Sequence, residues 1–279
     1  MCCSTRQVLS RKSRKHPKTT DKYKETIMKP TFLGHEKPLK TVMIIKRTPQ
    51  EIIDEIALAK ASGADALGFQ LEHLLPEYHN EESYSAIFNA AKELPTYFTF
   101  YRYPRNAPTY TDEQIAEELK KMIKCGGTIA DIMGDLFCPT DGELTDNAEA
   151  IEKQKKLIDE IHALGGEVLM SSHVLKYTPS DRVMEIANAH KERGADICKI
   201  VTNSENDTQQ IDNLMIIDRL KRELGLPFLY LCGGNCDILR RFGGRFGCCM
   251  WLCVYRHDDL AVKTQPTIVQ LNAAMNSLA

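Results

Sequence analysis

The sequence contains no apolar run of the ~18–20 residues needed to cross a bilayer. Its longest candidate, Phe246 to Tyr255, reads instead as a buried strand. It also lacks a strong net charge: -2 over 279 residues gives no general reason to expect a nucleic-acid partner. Low-complexity segments are absent, so a packed core is expected throughout the body. Paired C-x2-C ligands are missing as well. Cys232-Gly-Gly-Asn-Cys236, with Cys248, Cys249 and Cys253, has no standard zinc spacing, and no metal is expected. Cys232-Gly-Gly lacks the rest of a phosphate-loop signature. Finally, the first 29 residues hold no apolar stretch of the ~7–15 residues that a secretory signal needs. The ten cysteines of a chain this long then read as reduced thiols in a core, and the expected setting is a soluble, cytoplasmic one.

What is present is ordinary globular composition, 43% hydrophobic and 27% charged, enough to bury a full core. Charge is spread unevenly. Residues 1–29 carry nine Lys or Arg against Asp21 and Glu25, a tail of about +7 on a body of about -9. This tail reads as a disordered appendage or as an overlong start before Met28, with a basic arm or a targeting peptide as the sharper alternatives. Residues 30–279 read as one domain.

From residue 40 onward, short apolar runs alternate with amphipathic stretches. Thr41 to Lys46 is rich in β-formers, and Thr48-Pro49 follows as a helix N-cap and N1 pair. Apolar residues at Ile52, Ile53, Ile56 and Leu58-Ala59 then repeat at helical spacing, and Gly63 closes that helix. Further strands are expected at 65–70, 96–101, 128–133, 166–171, 196–201, 227–232 and 248–253. Helices are expected near 81–93, 112–124, 145–164, 180–193, 206–224, 235–242 and 267–278. Eight such units in about 240 residues predict an α/β fold, a (β/α)8 TIM barrel, since doubly wound sheets stop at five or six strands. Function in such a barrel sits at the carboxyl ends of the strands.

Polar residues that do not belong in strands are therefore informative. Lys199 interrupts the apolar strand in Gly194-Ala-Asp-Ile-Cys-Lys-Ile-Val201, where burying its charge is costly. Alternation puts Ile197, Lys199 and Val201 on one face. Facing the interior, the amine would be desolvated, its pKa depressed, and become a nucleophile able to form a Schiff base with a ketone. The bland alternative is a lysine salt-bridged inside the barrel or reaching to its mouth. On the preceding strand, Glu167-Val-Leu-Met-Ser-Ser172 leads into His173, an imidazole at the rim suited to proton transfer. Alone it would be a plain loop histidine; beside Lys199 on a neighbouring parallel strand it becomes specific. Arg256-His257-Asp258-Asp259 reads most simply as a solvated loop, with a lid over the site as the sharper reading.

These residues resemble the type I 3-dehydroquinate dehydratases. Ser171-Ser-His173-Val-Leu-Lys-Tyr-Thr178-Pro179 is similar to that family's S-x-H-x-x-x-x-T-P motif, and the Lys199 strand to its G-A-D-I-x-K-I. Ile238-Leu-Arg240 with Phe246-Gly247 looks like its I-S-R…F-G stretch, and Gln265-Pro266-Thr267-Ile268 like its closing P-G-Q-I. The resemblance covers about residues 38–278. It implies that Lys199 is the Schiff-base lysine and His173 the general acid and base, that Arg240 grips a substrate carboxylate, and that Gln265 helps bind substrate. No cofactor is required, because the iminium is itself the electron sink.

Departures from the pattern cluster around the substrate. Where the family has E-W-R-V-D, this chain has Gly68-Phe-Gln70-Leu-Glu72, which leaves Gln70 as a neutral hydrogen-bonder. The family's T-F-R becomes Thr99-Phe100-Tyr101-Arg102, with the arginine moved one place, so Arg102 is the expected binder. Near Arg105-Asn106 the glutamate that would assist the histidine is absent, and the family's serine near the last loop has no secure counterpart in Asp258 to Thr264. The expected activity is Schiff-base dehydration of a cyclic hydroxy keto acid, 3-dehydroquinate to 3-dehydroshikimate in the family's shikimate-pathway role. Two alternatives stay open: a diverged Schiff-base lyase or aldolase for another hydroxylated keto acid, and a catalytically silent ligand-binding barrel. The expected partner is a small carboxylated keto acid, without nucleic acid or membrane, and a homodimer stands as the candidate assembly.

Overall fold

A computed structural model describes Met1, residues 30–102 and residues 110–277. The expectations for the basic tail and for Arg105-Asn106 lie outside the described residues. Eight strands alternate with eight helices: β1 (Leu39–Ile44), α1 (Pro49–Ala61), β2 (Ala66–Gln70), α2 (Glu81–Ala91), β3 (Thr96–Thr99), α3 (Asp112–Lys124), β4 (Ile129–Met133) and α4 (Ala148–Ala163) form the first half. The second half is β5 (Glu167–His173), α5 (Ser180–Glu192), β6 (Ile197–Ser204), α6 (Asp207–Glu223), β7 (Phe228–Gly234), α7 (Ile238–Phe246), β8 (Met250–Cys253) and α8 (Ile268–Ser277).

Every strand pairs in parallel with its neighbours in the order β7-β6-β5-β4-β3-β2-β1-β8. The seam between β7 and β8 is bridged by the Cys249 amide, which donates to the Phe228 carbonyl at 2.9 Å. The result is the expected (β/α)8 barrel. Its bottom is stopped by the segment before β1: Phe32 is buried against the cluster that holds Leu39 and Met250. The Phe32 amide donates to Glu167 Oε2 at 3.2 Å, at the first residue of β5.

Local chemistry explains the boundaries. Thr48 caps α1 through a reciprocal box with Glu51, and Pro49 fills the position whose amide would have no helical partner. Gly63, at φ +82°, then takes the left-handed turn that releases the chain toward β2. The expected strand from Phe246 to Tyr255 is corrected: Phe246 ends α7 and β8 begins only at Met250. Gly247, at φ +127°, breaks the run between them, a conformation that a strand residue does not adopt. Among the described residues, no helix is long and apolar enough to cross a membrane.

Candidate active site

Lys199 and His173 lie on adjacent parallel strands, with Ser171 opposite Lys199 and His173 opposite Val201. The Lys199 side chain crosses the barrel interior, since its Nζ donates to groups on the far strands. Its partners are Tyr97 Oη at 2.8 Å, Tyr101 Oη at 2.7 Å and Asp131 Oδ2 at 3.0 Å. The same Asp131 oxygen accepts from both phenols, and Asp131 Oδ1 accepts from Ser171. Of the two readings left open for this lysine, a desolvated amine or one salt-bridged inside the barrel, the structure has the ion pair, with Lys199 only 5% exposed.

Burial alone would push the Asp131 carboxyl up. The nearby Lys199 charge and the hydroxyls of Ser171, Tyr101 and Tyr97 outweigh it and hold the group below its ordinary range. For both phenols, burial first and Asp131 second push the pKa well up, so they serve as neutral donors. Asp131 carries the signal that betrayed Lys199, a charge inside the apolar strand Ile129-Ala-Asp-Ile-Met133, and a pass for such anomalies would have found it.

Sequence comparison left His173 without an assisting glutamate, yet the fold supplies one. Glu143, from the loop between β4 and α4, places Oε2 2.7 Å from His173 Nδ1 and also accepts the His173 amide at 3.0 Å. An Nδ1–H donating to that carboxylate leaves Nε2 with its lone pair for chemistry. Glu143 holds φ +51°, uncommon for a residue with a side chain, and the surroundings enforce it. Ser172 Oγ donates to the Glu143 carbonyl at 2.6 Å, and buried His190 Nε2 lies 3.0 Å from that hydroxyl. With the serine proton committed, His190 Nε2–H is the donor, and Nδ1 faces Cys198 Sγ at 3.3 Å. Burial, then the Arg193 charge, push His190 down to about 3 despite Asp131, so it stays neutral.

The same loop admits no side chain at Gly134: a Cβ there would sit 2.6 Å from the Glu143 carbonyl oxygen. Arg193 ties both ends of the loop, donating to the Gly134 and Thr145 carbonyls at 2.6 Å each. No motif marks Glu143 in the sequence; only the loop's path delivers it.

A third carboxyl, Glu72, follows β2 and is 2% exposed, accepting from Thr99 Oγ1 at 2.9 Å. Burial is the main cause that raises it to about 7, with Asp131 adding and the Thr99 bond and Lys199 opposing.

The expected binding residues separate into two groups. Arg240, in the first turn of α7, has a buried Nε with no hydrogen-bond partner among the described residues, and burial pushes its pKa down. Gln265, 6% exposed on the loop after β8, has a buried Oε1 in the same condition. Buried polar atoms are nearly always paired, and each orphan costs about 1–3 kcal/mol; one of these two sits in the first turn of α7 and the other on the loop after β8, both at the carboxyl face. Gln70 ends β2, half-buried and opposite Thr99.

Arg102 is corrected as a substrate binder. Its guanidinium is taken up by Asp112 (2.6 and 2.9 Å) and by Asp135 (2.7 Å to both side chain and carbonyl). Tyr101, the preceding residue, faces the lysine instead, because alternation sends neighbours to opposite sides. The loop at Arg256 to Asp259 is solvated, with Arg256, His257 and Asp259 exposed, and is also tied at two points: Asp258 pairs with Lys46, and His257 Nε2 lies 2.9 Å from the Gln265 carbonyl.

A 3-dehydroquinate dehydratase from Alkaliphilus oremlandii is 32% identical over 107 residues, 37% of this chain and 40% of that protein. The Klebsiella pneumoniae enzyme of the same name is 25% identical over 215 residues, 75% of this chain and 81% of its own. Among solved structures, 3-dehydroquinate dehydratase from Geobacillus kaustophilus superposes with a TM-score of 0.75 at 14% identity, covering 88% of this chain and 92% of that one. Type I 3-dehydroquinate dehydratase from Clostridium difficile, solved with covalently modified comenic acid, gives 0.73 at 17% identity, covering 88% and 94%. At those identities the superpositions speak for the fold alone. The family model for type I 3-dehydroquinase matches residues 41–279, and the chain belongs to that family.

Proposed function

We propose that this chain is a Schiff-base hydro-lyase acting on a hydroxylated keto acid, with Lys199 as the nucleophile and His173 as the proton shuttle. The observation that carries the reading is the pairing of a lysine buried inside the barrel with a rim histidine on the next strand, itself oriented by Glu143.

In this reaction the Lys199 proton passes first to its neighbouring acceptor, for which Asp131 Oδ2 at 3.0 Å is in reach. The freed amine adds to the substrate ketone, and the carbinolamine hydroxyl takes the proton back from Asp131 and leaves as water, giving the iminium. The iminium acidifies the adjacent C–H, and His173 Nε2 takes that proton. His173 then returns it to the β-hydroxyl, which leaves as water, and hydrolysis of the iminium consumes one water and frees the enone and the lysine. The net change is loss of one water. Arg240 is the group for the substrate carboxylate and Gln265 a hydrogen-bonder beside it; Gln70 is a further neutral contact at the rim. Gly68 and Gln70 stand where the family has charged groups. The substrate is therefore expected to differ from 3-dehydroquinate, because sites built around polar partners discriminate strongly by them.

A second reading has a specific observation behind it. All three hydrogens of the Lys199 nitrogen have partners already, as in a structural ion pair, and this favours a silent ligand-binding barrel. Borohydride separates the two. Under the lyase reading, a keto-acid substrate leaves one reduced adduct, mapped by peptide mass to Lys199 and lost in Lys199→Arg, and enone absorbance grows in its absence. If no keto acid leaves an adduct, the binding reading stands.

A further inference from the structure

Beside the Lys199–Asp131 ion pair, the β1–β3 side of the interior is lined by a thioether and an aromatic ring. Met43, Gly68 and Tyr97 are register partners across β1, β2 and β3. A Cβ at Gly68 would lie 2.1 Å from Met43 Sδ and 3.2 Å from Tyr97 Cδ1, so this wall has no room for a side chain. Met43 could swing aside, but the Tyr97 ring is pinned by its hydroxyl between Lys199 and Asp131.

Tyr101 closes the other side. Its hydroxyl lies 2.7 Å from Lys199 Nζ, and its ring meets the His173 ring edge-on at 5.4 Å between centroids. Lys199 Nζ is also 5.5 and 5.4 Å from the Tyr97 and Tyr101 ring centroids. Any substrate carbon that bonds Nζ while its neighbour gives a proton to His173 must lie against the Tyr101 ring.

We infer that Tyr101, braced by Tyr97, sets substrate size, and that the site takes a short open-chain keto acid with one hydroxyl beta to its carbonyl in place of a polyhydroxylated ring. The inference rests on the lyase reading above. On the Tyr97 and Tyr101 side, ring hydroxyls would meet aromatic faces whose two phenols are already committed to Asp131, and each desolvated hydroxyl left unpaired costs affinity. A short chain leaves the carbonyl at Nζ; once Asp131 has taken the Lys199 proton its hold on the phenols weakens, and they can donate to the carbinolamine oxygen as it forms.

The probes are 4-hydroxy-2-oxobutanoate and 3-dehydroquinate, each trapped on the full chain with sodium borohydride and counted by intact mass. The wild-type protein is expected to trap the open-chain acid at least about 10-fold more efficiently than the cyclic one. Tyr101→Ala should move that ratio about 10-fold or more toward the cyclic acid, whereas Tyr101→Phe, which keeps the ring, should retain the preference. Equal or better trapping of the cyclic acid by wild type overturns this inference and leaves the lyase reading intact. So does an unchanged ratio in a folded Tyr101→Ala. Absence of any adduct with either acid overturns both. The wild-type ratio decides the matter even if the alanine variant fails to fold.

Discussion

Glu72 gives the sharpest handle on the buried electrostatics. Its carboxyl, ordinarily near 4.5, is pushed up to about 7 by burial. Folding therefore favours its protonated form. The stability it contributes is fully present below pH 4.5, where folded and unfolded chains both hold the proton, and is lost as pH rises through about 7. At pH 8 the folded chain must carry a buried carboxylate that the unfolded chain solvates freely. A displacement of this size corresponds to about 3 kcal/mol. Glu72→Gln preserves the shape and the acceptor for Thr99 Oγ1 without the titration. Denaturant unfolding of both proteins from pH 4.5 to 8 is the assay. The two stabilities should be similar at pH 4.5 and diverge upward, until the glutamine variant leads by about 3 kcal/mol at pH 8. Because Asp131 titrates in both proteins, its opposite contribution cancels in the difference. Curves that stay parallel across this range would refute the account of a desolvated carboxyl.

Three other perturbations test separate parts of the site. Glu143→Gln should lower kcat at least about 10-fold by loosening the His173 tautomer, while borohydride adduct formation at Lys199 persists; an unchanged kcat would remove Glu143 from the machinery. Arg240→Met should raise stability by about 1–3 kcal/mol in denaturant unfolding, because it removes a buried donor with no partner among the described residues, while it weakens binding of a carboxylated ligand; a lower stability would mean the guanidinium is already satisfied. Lys199→Met should cost about 3–5 kcal/mol in the same measurement by stranding the Asp131 carboxylate inside the barrel.

Much of this molecule follows from the chain read in one dimension. Apolar runs at strand length, helical spacing between them and punctuation such as Thr48-Pro49 and Gly63 are local signals, and local backbone preference carries their order into the fold, with bounds moved by a few residues. The pairing of Lys199 with His173 was equally legible, because parallel β/α order makes consecutive strands neighbours. What surrounds that pair was not. Asp131, Tyr97 and Tyr101 reach Lys199 across the barrel from sequence separations of 68 to 102 residues, and only closure of the sheet brings them together. A shift of one residue just after β3 sent Arg102 to Asp112 and Asp135 and turned Tyr101 inward, an outcome set by how the chain leaves the strand. Glu143 shows the limit most clearly. It meets His173 because Gly134, Ser172, His190 and Arg193 bend a loop into place, and loop paths follow from packing partners far along the chain rather than from any pattern within the loop.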